Sequence, residues 1–83
     1  QIGARINKMN KRDIMAELKI SLYYDYSQQW SALFKGDTEA RHKHAAIAEG
    51  KITFAHALLG HKYYHDINNL AESTERAASS KAA

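Results

Sequence analysis

Cysteine is missing from the 83 residues, and so are proline and valine. Without cysteine the chain has no disulfide, no thiolate metal site and no cysteine nucleophile, which fits a reducing, cytoplasmic setting. Without proline, no ring-locked residue marks a loop or a linker. Long hydrophobic runs are lacking too: stretches such as Ala45-Ala46-Ile47-Ala48 are far short of the ~20 residues of a membrane span. No signal-peptide pattern and no internal repeat is visible. There is no glycine-rich phosphate loop, and no nucleophile–base spacing that a small helical protein could assemble. The chain is therefore read as non-enzymatic, with no cofactor.

What is present suits one small helical core. Seven Ile, six Leu, two Met, two Phe, one Trp and five Tyr make up the large apolar inventory. That is too little for a deep substrate pocket with supporting layers around it. The formal net charge is a mild +3, but it is unevenly spread. Arg5, Lys8, Lys11 and Arg12 precede the first acid, Asp13, and beyond them both signs are interspersed.

The organising stretch is Leu33-Phe34-Lys35-Gly36-Asp37-Thr38-Glu39. Gly36 can take the left-handed conformation that closes a helix, with Lys35 in the last turn. Asp37 or Thr38 can cap a following helix, and Glu39 favours its positive end. So short a connection predicts two antiparallel neighbours.

Ahead of this turn, Asn10 is a helix cap with Asp13 three residues on. Met15, Leu18, Leu22, Tyr26, Trp30 and Leu33 then recur at threes and fours on one face, widened by Ile14. Ile20, Tyr23 and Phe34 form a second apolar flank. After the turn, Ala48, Ile52, Ala55, Leu59, Tyr63, Ile67 and Leu70 make the main stripe, which runs straight through Gly50 and Gly60. A helix-interior glycine costs only about 1 kcal/mol relative to alanine, so the pattern predicts one helix over about 38–75. The alternative is a third helix after a break at Gly50, opened by Lys51 or Thr53. Ile47, Phe54 and Leu58 form a flank here as well, continued by His61 and His65.

The expected organisation is a flexible basic arm over 1–9, native or added ahead of a start at Met9. A helical hairpin follows over 10–75, then a disordered tail over 76–83. A two-helix hairpin covers one side of each helix, so a third element or a second copy must cover the flanks. Ile20, Tyr23, Tyr24, Phe34, Ile47, Phe54 and Leu58 are the candidate partner-binding or oligomer face. Arg5, Lys8, Lys11 and Arg12 are candidate phosphate contacts, although no helix-turn-helix spacing accompanies them. His61 and His65, four apart, are the weak candidate for a metal.

The fold class expected is all-α: an antiparallel helical hairpin assembling into a helical bundle. The function expected is that of a small non-enzymatic regulator or adaptor. It would bind a larger protein partner through apolar helix faces, as a homodimer. The alternative is a nucleic-acid-associated protein using its N-terminal basic arm.

Overall fold

A computed structural model describes residues 10–82, with side chains to Lys81; Arg5 and Lys8 lie outside this range. The described residues form a helical bundle of three helices: α1 (Lys11–Lys35), α2 (Thr38–Leu59) and α3 (Tyr64–Ala82). A single 3-10 turn, His61–Tyr63, joins the last two. No strand occurs among the described residues.

The ends of α1 follow from its local sequence. The Asp13 amide donates to Asn10 Oδ1 at 2.9 Å, capping the first turn. At the other end Gly36 is left-handed (φ 76°, ψ 17°). Its amide donates to the Leu33 carbonyl at 3.1 Å, and the Asp37 amide to that of Ala32 at 2.9 Å. This pair of bonds is a Schellman motif, which satisfies carbonyls the helix itself leaves open. Asp37 then caps α2, its Oδ1 accepting from the Ala40 amide at 3.0 Å. Two residues therefore end one helix and start the next, and α2 returns antiparallel to α1.

The second arm is not one helix. Gly50 lies inside α2, and the chain breaks at Gly60 instead (φ 86°, ψ 172°). The Gly60 amide closes α2 on the His56 carbonyl at 2.9 Å. The Tyr63 amide then donates back to the Gly60 carbonyl at 3.2 Å. Geometry explains the correction. A straight helix over 38–75 would be about 57 Å long, whereas the 25 residues of α1 offer only about 37 Å to pack against. Folding back at Gly60 brings α3 parallel to α1, and the longest dimension of the molecule stays at 40 Å.

α1 lies between the other two, packing along both, while α2 and α3 touch each other far less. It contributes the large core residues Leu18, Leu22 and Tyr26. The outer helices answer with small ones seven apart, Ala48 and Ala55 from α2 and Ala71 and Ala78 from α3. Alanines two turns apart let each helix axis approach α1 closely. Leu22 and Ile67 are fully enclosed, so truncating Leu22 to alanine would cost about 2–5 kcal/mol. At one end Lys11 Nζ pairs with Asp66 at 2.8 Å and lies 4.4 Å from the centre of the Tyr63 ring, tying the start of α1 to the start of α3.

Residues 76–82, expected as a tail, continue α3. Ile67, Ala71, Thr74 and Ala78 extend its buried stripe at threes and fours. Thr74 can be buried because its hydroxyl donates to the Leu70 carbonyl one turn back, at 2.6 Å. Alanine-rich composition supplies helix propensity where large apolar residues run out.

Candidate functional site

The seam between α1 and α2 carries a buried charge. Asp25 is 2% exposed, on the edge of the α1 stripe, where it meets His44 and Lys51 of α2. Those two residues are seven apart, so both face α1 from successive pairs of turns. Lys51 Nζ donates to Asp25 Oδ2, and His44 Nδ1 lies 3.5 Å from Oδ1, an ion-pair distance rather than a made hydrogen bond. The Tyr24 ring stands edge-on to the His44 ring, with centroids 6.2 Å apart. A carboxylate taken out of water is costly unless paired, so this contact fixes how α2 sits along α1.

Next to the seam lies the apolar surface that the sequence singles out. On α2, Ile47, Phe54 and Leu58 share a row with Lys51 at spacings of three and four. Because Lys51 reaches Asp25, this row borders α1 on the side of Tyr24. Ile20 is one turn before Tyr24. Ile20 (69% exposed), Tyr24, Ile47, Phe54 (58% exposed) and Leu58 all remain open to solvent. Phe34 is also exposed, but at the turn end of α1, where its ring centroid lies 6.2 Å from that of Trp30. Tyr23 departs from the expected group: it is half-buried and packs against the core. The third helix accounts for this, since α3 covers part of the flank that a two-helix hairpin would leave bare.

The histidines and the basic residues are placed differently from expectation. His61 belongs to the 3-10 turn and His65 to α3, so the pair does not share one continuous helix. The Tyr64 ring contacts both, at 5.8 and 5.5 Å between centroids, and stacks on His56 at 4.8 Å. His56 Nε2 in turn lies 3.1 Å from Asn68 Oδ1. This is an aromatic cluster that packs the Gly60 joint. Among the described residues no group of three or more His, Asp or Glu is placed to hold a metal ion. Of the candidate phosphate contacts, Lys11 is engaged by Asp66 and Tyr63, and Arg12 is exposed. No helix among the described residues is long and apolar enough to cross a membrane.

Sequence reasoning missed the Asp25–His44–Lys51 cluster. Asp25 precedes Tyr26 and follows Leu22 by three, which places it at the stripe's edge. Which residues it meets depends on the rotation of α2 about its own axis, and periodicity leaves that rotation open. No protein-family model, curated protein or solved structure matches the chain.

Proposed function

We propose that this chain is a small non-enzymatic regulator or adaptor that binds protein through the outer face of α1 and α2. It presents that face as a homodimer. The observation that supports this reading is the exposure of Ile20, Tyr24, Ile47, Phe54 and Leu58 around one seam, in a chain with few large apolar residues. Burying a large apolar side chain stabilises by about 1.5–3 kcal/mol, so a handful left in water forgoes an amount comparable to a small domain's whole stability. A two-fold axis beside α2 would set the row Ile47, Phe54, Leu58 against its copy and form a larger helical bundle. Lys51 in the middle of that row is already neutralised by Asp25, so an apposed copy would not bring two uncompensated cations together.

Sedimentation velocity across micromolar concentrations tests the reading. The parent chain should sediment as a dimer. Phe54→Asp or Leu58→Asp should give a monomer that keeps its helical circular dichroism, while the control Lys19→Asp should stay dimeric. A parent chain that remains monomeric at high micromolar concentration would overturn self-association through this face.

A further inference from the structure

The outward row of α2 has the same spacing read from either end. Ile47, Lys51, Phe54 and Leu58 follow at steps of four, three and four, so the row is symmetric about the midpoint between Lys51 and Phe54. On α1 that midpoint is level with Ile20. The turn sets Lys35 opposite Thr38, and both helices rise equally per residue, so about fifteen residues back along α1 is level with about fifteen on along α2. The contacts of Asp25 with both His44 and Lys51 give the same level. We infer that two copies of this chain pack antiparallel through this face, about a two-fold axis that crosses α1 at Ile20 and α2 between Lys51 and Phe54. Ile20 then meets its own copy, Ile47 meets Leu58 of the second copy, and Lys51 meets its Phe54. The inference rests on the homodimer reading above and adds orientation and register to it.

The charges on the face separate this arrangement from the others. A two-fold axis running along α2 keeps each residue at its own height, which sets Lys51 beside Lys51 and leaves Ile20 uncovered. The antiparallel axis exchanges partners instead. Each Lys51 lays its stem along a Phe54 ring while its ammonium stays on Asp25. A cation is drawn to the face of an aromatic ring, whereas two lysines repel.

The acids of α1 exclude a third arrangement, in which the copies are parallel and each α2 lies over the other α1. Leu58 would then be level with the stretch between Asp13 and Glu17, and carboxylates would lose water against an apolar side chain. In the antiparallel dimer Glu17 comes level with Tyr24 of the second copy, and Asp13 with its Gln28. A phenol and an amide both offer donors to a carboxylate. Apolar therefore meets apolar along α2, and acid meets donor along α1.

The chain lacks cysteine, so each introduced thiol reports one contact. Full-length Ile47→Cys and Leu58→Cys proteins are mixed in equal amounts, checked as dimers by sedimentation and mildly oxidised. The mixed disulfide should form, and the self-linked products should be nearly absent. Antiparallel copies hold the two Ile47 positions ~17 Å apart along the axis, beyond a disulfide's reach, and the two Leu58 positions likewise. A nitroxide on Glu39→Cys, outside the face, reads the same geometry. The labels should lie about 40 Å apart in the antiparallel dimer and under about 30 Å in either parallel form. A self-linked Ile47→Cys product, or the short label distance in a dimer, would overturn the antiparallel arrangement and leave the homodimer standing. A parent chain that stays monomeric would overturn both. Where the thiols do not join, the label distance alone decides.

Discussion

The carboxylate of Asp25 and the ammonium of Lys51 meet at the α1–α2 seam with unequal access to water: the Asp25 side chain is 3% exposed and that of Lys51 33%. One charge is interior and its partner reaches in from the surface. Removing the lysine therefore does more harm than the pair itself does good, because the charge left behind is the one that cannot be hydrated. His44 stays at 3.5 Å from the carboxylate but makes no hydrogen bond to it.

Lys51→Met should accordingly destabilise the protein by about 2 kcal/mol, below the range for fully buried pairs because water reaches Lys51. Asp25→Leu combined with Lys51→Met should cost less than Lys51→Met alone. Urea unfolding of the three proteins measures both differences. A lysine variant as stable as the parent would mean that Asp25 is not buried against α2.

The three described glycines outside the arm should respond to substitution with different signs. Gly50 is helical with open space where a Cβ would stand, so Gly50→Ala should stabilise by about 0.5–1 kcal/mol. Gly60, at φ 86° and ψ 172°, occupies a region essentially reserved for glycine, and Gly60→Ala should cost about 1–3 kcal/mol. Gly36 is left-handed, where asparagine is tolerated, so Gly36→Asn should be nearly neutral. Thermal unfolding would reveal a break at Gly50 by the reversed order of the first two.

Tyr26 gives the protein an alkaline limit of its own. Its folded pKa is raised, by burial first and then by Glu75, Asp25 and Glu49, above the ordinary value of 10.0. Below that value both states hold the proton and the stability contribution is fully present. As pH rises past it, the unfolded chain loses the proton first, and stability falls until the folded phenol ionises too. Tyr26→Phe should therefore lose less stability than the parent between neutral pH and the region above 10, as read from unfolding free energies across that window.

Much of this architecture was legible in the sequence. Asn10, Gly36 and Asp37 announce the helix ends through their own chemistry, and each does what its type predicts. The stripe from Ala48 to Leu70 was equally legible, and every member is buried or half-buried. What it did not reveal is that the chain folds back within it. α2 and α3 both turn their stripes to α1, so the apolar period passes through Gly60 unbroken, and a count of spacings carries no direction. Gly50 and Gly60 are identical in type, and only the length of α1 decides which must break.

The same limit applies to the site. The exposure of Ile20, Tyr24, Phe34, Ile47, Phe54 and Leu58 could be read by counting faces, since two helices cannot cover four flanks. Tyr23 was misplaced because that count lacked α3. Residues 76–82 carry no large apolar side chain by which periodicity could mark a helix, whereas Ala71, Thr74 and Ala78 bury a stripe of small ones.

Because α1 holds both interfaces and the outer helices scarcely touch away from Gly60, resistance to opening is ranked through the molecule. The amides of α1 are protected by contacts to both α2 and α3. Those of α3 need only α3 to lift, pivoting on a glycine that already imposes no helical continuity. A change felt at α2, such as a protein settling on Phe54, reaches α3 through the tightening or loosening of the helix they share. Among the described residues the central helix is thus both the scaffold and the longer of two routes between the sides of the molecule, the other being the Gly60 joint with His56, Tyr64 and Asn68.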